Sequence, residues 1–322
     1  MDIFSISNVR MFEAEALKIF RHQASNNEVY RRFIDLVHID PSTIKHIRDI
    51  PFLPVEFFKS HEIVSNSDKV EQIFTSSGTT GSIQSQHLVT DLKLYEESFN
   101  RGFEYFYGSA KNYTILALLP GYLERQGSSL IYMVDHLIKA SASEKSGFYL
   151  NELHALSELL IRLDSKGEKV ILIGVSYALL DLIKDQKFKL KNTIVMETGG
   201  MKGKRKELVK SELHQLLCDG FGLDNIHSEY GMTELLSQAY SLGGGIFETP
   251  PWMKILIRDT EDPFHILENN KNGGINIVDL ANVNSCSFIA TQDLGRKVNE
   301  KQFEVLGRFD HSDIRGCNLM VV

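Results

Sequence analysis

The chain has 322 residues, 43% of them hydrophobic and 24% charged, with a formal net charge of −7. That length holds one large α/β domain or two modest ones, and the acidic balance argues against nucleic acid or an anionic membrane as the main partner. No apolar run nears the roughly 20 residues that cross a bilayer, the N-terminus lacks a secretory signal, and Cys218, Cys286 and Cys317 are too few and scattered for a disulfide framework, so a cytoplasmic protein with no membrane insertion is expected.

Two helices are expected in the first forty residues, because Val29, Tyr30, Phe33, Ile34 and Val37 recur at helical spacing behind Asn26 or Asn27 as cap. Pro41, Pro51 and Pro54 then break the chain, leaving residues 51–58 extended. After His87, the residues Leu92, Tyr95, Phe99, Phe103 and Phe106 make one helical stripe, read as core packing. From residue 113, predicted strands at 113–118, 170–174 and 193–197 alternate with predicted helices at 128–140, 151–165, 176–186 and 204–218. Such alternation implies a mostly parallel sheet covered by helices on both faces, an α/β fold.

Beyond Tyr230 the pattern changes to short strands at 254–258, 275–280, 286–290 and 302–308, suggesting a smaller β-rich subdomain. The expected division is 1–240, the α/β portion, and 241–322, the β-rich subdomain with a short C-terminal tail. The two halves are either separate subdomains or one structural unit.

The run Thr75-Ser-Ser-Gly-Thr-Thr-Gly81 follows the apolar Ile73-Phe74. Glycines at 78 and 81 let backbone N–H groups approach an anion, and the hydroxyls of Ser76, Ser77, Thr79 and Thr80 add donors. Polyphosphate is the natural ligand. It is not a Walker A loop, which needs Lys then Ser or Thr after its last glycine, whereas Gly81 is followed by Ser82-Ile83-Gln84.

Further segments follow in order. Thr198-Gly199-Gly200 ends a predicted strand, so its backbone can approach a ligand. His227-Ser-Glu-Tyr-Gly-Met-Thr-Glu234 places an aromatic (Tyr230), Gly231, a hydroxyl (Thr233) and a carboxylate (Glu234) within five residues. Asp293 is expected in a tight turn of Thr291-Gln-Asp-Leu-Gly295, and Leu306-Gly-Arg-Phe-Asp310 offers Arg308. Singly, Tyr230 reads as a core tyrosine, Glu234 as a helix-start acid and Asp293 as a turn residue. Together they are what a nucleotide triphosphate with magnesium requires: phosphate donors, an adenine platform, a metal ligand, a ribose acceptor and a cation.

That ordered set resembles the adenylate-forming superfamily of acyl-, aryl- and luciferin-type ligases, over residues 75 to about 316. Within it, the Pro-Phe-Leu-Pro-Val-Glu-Phe-Phe-Lys stretch, Ser85-Gln-His87 and the Arg315-Gly-Cys317 ending look most like the acyl-protein synthetase family, the fatty acid–luciferin-component ligases of bacterial bioluminescence. Phenylacetate–coenzyme A ligases look next most similar. The resemblance implies a large adenylate-forming domain with ATP and magnesium as cofactors. It implies that Ser77, Thr79 and Thr80 contact the triphosphate, Tyr230 stacks on adenine and Thr233 meets the α-phosphate. Glu234 would hold magnesium, Asp293 the ribose hydroxyls, and Arg308 ribose or phosphate. Cys317 matches the position that carries the acyl group as a thioester; on spacing alone it reads equally as a packed apolar residue. His87 is read as touching phosphate or the acyl carboxylate, or as a surface or capping residue.

Two departures stand out. Gln84 occupies the place where many superfamily loops carry a lysine, and only a dozen residues follow Asp310, so the mobile C-terminal domain with its adenylation lysine is expected to be absent. The expected activity is ATP-dependent activation of a carboxylic acid, a fatty acid by resemblance, followed by acyl transfer to a protein thiol on itself or an acceptor protein. The alternatives are an acid–coenzyme A ligase and a non-catalytic adenine-nucleotide-binding protein.

Overall fold

The computed structural model describes residues 2–66, 68–76, 83–119, 127–149, 152–184, 186–199 and 208–309. Helix α1 (Val9–Asn26) starts where the Asn8 side chain accepts from the Met11 N–H, and α2 (Glu28–Leu36) where Asn27 accepts from Tyr30. Asn27 is therefore the cap of the second helix. The proline-rich stretch is extended only over β1 (Leu53–Pro54); Val55–Lys59 closes into a 3-10 turn. Pro54 has no N–H to continue a ladder, which is why the strand stops there.

Strands β2 (Gln72–Thr75) and β3 (Gln86–Val89) pair antiparallel on either side of the glycine loop. Helix α3 (Leu92–Tyr107) is capped by Asp91 and ends at Gly108, whose φ of 75° suits glycine. Its Tyr95, Phe99 and Phe103 are buried, so the aromatic stripe is core.

The α/β half then runs β4 (Thr114–Leu118), α4 (Ser129–Ser141), β5 (Gly147–Phe148), α5 (Leu153–Ser165), β6 (Val170–Val175), α6 (Ser176–Leu182), β7 (Thr193–Thr198), α7 (Lys210–Phe221) and β8 (His227–Tyr230). Its strands lie parallel in the order β5-β4-β6-β7-β8. Every residue of β4 and β6 is buried, as expected of strands sandwiched between helices. Helices α3 and α4 cover one face, where Phe103, Met133, Val134 and Leu137 line a narrow apolar cavity with Ile173 and Met196. Helix α7 covers the other, where His214 reaches Glu197 and Ser228.

The chain continues through β9 (Ala239–Ser241), β10 (Ile246–Glu248), β11 (Met253–Arg258), β12 (Asn272–Asp279), β13 (Phe288–Lys297) and β14 (Gln302–Arg308). These strands are antiparallel and join the parallel half through the β8–β9 pair, in the order β8-β9-β10-β14-β13-β12-β11. Among the described residues, twelve strands make one mixed sheet, with β1 alongside β13. The division drawn at 240/241 falls inside β9, and Gly243–Gly245 belongs to the turn joining β9 to its hydrogen-bonded neighbour β10. Helices α1 and α2 cover the antiparallel half, where Phe20 and Tyr30 pack on Phe288.

Candidate active site

Tyr230 is the last residue of β8, where the sheet changes from parallel to antiparallel pairing. Its ring packs edge-on against Phe247 of β10 and Phe303 of β14. Its hydroxyl donates to Oδ2 of Asp293 at 2.7 Å, and Arg308 Nε donates to the other oxygen, Oδ1, at 2.9 Å. Asp293 and Arg308 face each other across the β13–β14 ladder, and the Asp293 N–H bonds Thr291 Oγ1 at 3.0 Å. The carboxylate is buried while the Arg308 side chain is 74% exposed. The Asp293 charge raises the Arg308 pKa.

Asp293 does not lie in a tight turn. It sits inside β13, and the irregularity at Leu294/Gly295 is a register shift rather than a reversal. A Cβ on Gly295 would stand 2.6 Å from the Glu304 carbonyl, so this glycine serves close strand approach, which sequence spacing mistakes for a turn.

The ends of the glycine loop are drawn together. The Ser76 N–H bonds the Ser85 carbonyl at 3.1 Å, and the Ser85 N–H bonds Ser76 Oγ at 2.9 Å. Thr75 donates its N–H to Gly127 at 2.8 Å, and Gly127, with φ of 89°, lies so close that a Cβ would meet Thr75 Oγ1 at 3.0 Å. Ser77, Gly78, Thr79, Thr80 and Gly81 lie outside the described residues, as do Gly200 and Cys317.

His87 is buried on β3 with its ring edge-on to Phe58, and its Nδ1 lies 2.9 Å from the Thr233 carbonyl. A carbonyl can only accept, so Nδ1 carries the proton. Burial lowers the His87 pKa to about 4 despite that bond, leaving a neutral imidazole. His87 thus holds the backbone of Thr233 beside the next residue, Glu234. Glu234 is buried, and burial raises its pKa; a hydrogen bond from Ser85 and the charges of Arg308 and Lys59 act the other way. Ser85 therefore links the loop to Glu234. Gly199 follows β7 with φ of 68°, and its carbonyl accepts from Ser176 Oγ at 2.8 Å. Gly231 leaves no room for a side chain: a Cβ would stand 2.5 Å from Glu229 Oε1.

Sequence reasoning passed over several supports of this site. Asp279 accepts from the N–H groups of Leu236 and Ser237 at 2.9 Å and from Ser237 Oγ at 2.6 Å, clamping the chain just after Glu234. Asn282 donates to the Glu234 carbonyl at 2.7 Å. Neither residue sits in a recognisable motif. The one available signal was Asp279 ahead of Leu280, an N-cap pattern that the structure uses for the Leu280–Asn284 turn.

Two buried carboxyls flank the β7–β8 pair on opposite faces. Burial works against the charge of Glu197, but the Lys210 ammonium at 2.6 Å and hydrogen bonds from His214, Lys210 and Ser228 outweigh it and hold the pKa at about 2. Glu229, bonded by Thr198 Oγ1, is raised by burial to about 7.

A family model described as acyl-protein synthetase, LuxE, matches residues 4–322. The chain belongs to the LuxE acyl-protein synthetase family. It is accordingly an adenylate-forming ligase. A long-chain-fatty-acid–luciferin-component ligase of Vibrio harveyi is 24% identical over 325 residues, covering 93% of this chain and 84% of that one. The fold agrees with solved ligases. An open 2-hydroxyisobutyryl-CoA ligase in complex with 2-HIB-AMP and CoA superposes with a TM-score of 0.66 at 11% identity, over 94% of this chain and 70% of that one. ATP-bound MatB from Rhodopseudomonas palustris gives 0.57 at 16% identity, over 76% of this chain and 49% of that one. The chain spans about half the length of that MatB structure, and likeness at these identities concerns the fold alone.

Proposed function

We propose that this family member activates a long-chain fatty acid with ATP and magnesium as an acyl-adenylate, then passes the acyl group to a protein thiol. The observation that carries the site assignment is the convergence of Tyr230, Asp293 and Arg308 from β8, β13 and β14 on one carboxylate. Residues more than 60 positions apart meet where a ribose diol would need an acceptor and a cation.

The donor set fits magnesium. Magnesium at a nucleotide is held by one or two carboxylates and by the nucleotide's own phosphates. Glu234 is such a carboxylate: buried, with its proton affinity raised, it gains from a cation. Bound magnesium would supply neutralisation of phosphate charge.

The carboxylate of the fatty acid needs no general base. Its oxygen attacks the α-phosphorus of ATP, and the bond to the bridging α–β oxygen breaks with its electron pair leaving in pyrophosphate. The protein's task is alignment and charge stabilisation. In our reading the hydroxyls and N–H groups of residues 76–81 hold the phosphates. Tyr230, with Gly199 and Gly200, holds adenine; Asp293 and Arg308 hold ribose; Thr233 meets the α-phosphate and Gly231 lets the backbone approach. His87, neutral and bonded to the Thr233 carbonyl, keeps the turn after β8 in place. A thiolate then attacks the acyl carbon and AMP leaves; Cys317 is the proposed thiol, passing the chain to an acceptor protein or coenzyme A.

No described helix is long and apolar enough to cross a membrane, and Cys218 and Cys286 are free thiols, in keeping with a reducing cytoplasm. The decisive experiment is acid-dependent exchange of labelled pyrophosphate into ATP. Exchange driven by fatty acids supports the reading; no exchange with any fatty or aryl acid, in a protein that still binds ATP, overturns it.

A further inference from the structure

Gln84, just beyond the glycine loop, is uncharged and brings no cation to a phosphate bound there. The structure places a candidate beside it. Lys59 ends the Val55–Lys59 turn and, with Phe58, Ser60 and His61, lines an open groove of which Ile83, Gln84 and Gln86 form the other wall. One wall is therefore the chain leaving the glycine loop, and the other presents an exposed ammonium.

The turn that carries Lys59 is held rigidly against the site. Leu53 and Pro54 pair with Ile289 and Ala290 of β13, the strand of Asp293. Glu56 accepts from Gln292 Nε2 at 2.6 Å, next to Asp293. Phe58 is buried edge-on to His87, which bonds the Thr233 carbonyl. Lys59 thus follows a residue locked to the segment bearing Thr233 and Glu234. Its charge reaches Glu234, where it opposes the effect of burial. Among the described residues no carboxylate pairs with Lys59, so its ammonium is available to a ligand. Glu62 also lines the groove.

We infer that Lys59 is the cation that binds the β- and γ-phosphates of ATP and stabilises departing pyrophosphate, in the role left open by Gln84. This rests on the adenylation reading above. As the oxygen–phosphorus bond forms and the α–β bridge breaks, negative charge moves onto pyrophosphate. An ammonium at the groove mouth meets that charge without any proton transfer. A lysine is suited to this task, because a compact point charge on a flexible stem can follow a leaving group.

The test uses the full chain and three variants: Lys59→Met, Lys59→Arg and, as a control at the C-terminal end of α5, Lys166→Met. Fatty-acid-dependent exchange in Lys59→Met is expected to fall on the order of 100-fold, the usual loss for one stabilising donor, with Lys59→Arg recovering most of it. Lys166→Met is expected to match the native rate. Calorimetry is expected to show weakened binding of ATP and pyrophosphate but unchanged binding of AMP, which lacks those phosphates. The inference is overturned if Lys59→Met exchanges at the native rate, or if it loses AMP affinity as much as ATP affinity, the mark of a merely structural change. Failure of the adenylation reading looks different: the native chain itself would show no exchange.

Discussion

Tyr230 donates its hydroxyl proton to Asp293 across 63 positions of chain, joining the last parallel strand to the antiparallel half of the sheet. The same carboxylate receives Arg308 from the facing strand, so one buried aspartate orders an aromatic ring and a guanidinium together. In the free enzyme Asp293 is thereby pre-positioned rather than recruited by the ligand. Removing it should act on stability and on nucleotide affinity at once. Asp293→Ala leaves the buried Tyr230 hydroxyl without its acceptor, with an expected cost of about 1–3 kcal/mol in denaturant unfolding, and ATP binding should be lost in calorimetry. Unchanged ATP affinity would remove Asp293 from the site.

Arg308 should separate those two effects. Its side chain is largely exposed, so the pair with Asp293 is screened by water. Arg308→Ala is expected to change unfolding free energy by less than about 1 kcal/mol. Its KM for ATP should nonetheless rise at least tenfold, measured by pyrophosphate exchange at varied ATP.

The pH profile of stability should carry the mark of His87. Unfolded, it takes a proton near its ordinary value of 6.5; folded and buried, only near 4. Between those values the unfolded chain binds more protons, so this contribution is complete above 6.5 and is lost as pH falls toward 4. A two-and-a-half-unit separation corresponds to on the order of 3 kcal/mol. His87 resonances in NMR should therefore not titrate above pH 5, and His87→Gln should show a shallower acid loss than the native chain. A His87 midpoint near 6.5 would contradict the buried neutral ring.

Glu229 has the opposite sign. Its folded pKa, about 7, lies above its ordinary 4.5, so the folded state binds more protons in between. Stability from this group is complete below 4.5 and lost as pH rises through 7. Glu229→Gln keeps a polar partner for Thr198 without the charge, and its melting temperature should exceed that of the native protein at pH 8 but not at pH 5. Equal melting differences at both values would show that Glu229 is ionised in the fold.

Cys317 bears on the second half-reaction alone. Cys317→Ser should retain acid-dependent pyrophosphate exchange while losing the acyl mass added to the protein after incubation with fatty acid and ATP, read by intact-protein mass spectrometry. Persistent acylation would place the acceptor thiol elsewhere. Continued formation of a coenzyme A thioester by the variant would favour the coenzyme A ligase alternative.

Much of this was legible along the chain. The uniform burial of β4 and β6 was visible as continuous apolar runs, and the aromatic stripe of α3 as helical periodicity, because both depend on residues a few positions apart. The ordered motifs at 75–81, 227–234, 293 and 308 carried the family for the same reason: each is a short run whose chemistry is intrinsic. Tertiary structure alone decided that Asp293 lies in a strand opposite Arg308, since a register shift at Gly295 and a turn read alike in sequence. It alone decided that Glu229 lies buried opposite Tyr240 and that Lys59 shares a groove with Ile83 and Gln84, since register and burial bring together groups that are far apart in the chain. Side-chain identity sets what a group can do; the dielectric and the neighbours that tune it are supplied by distant segments.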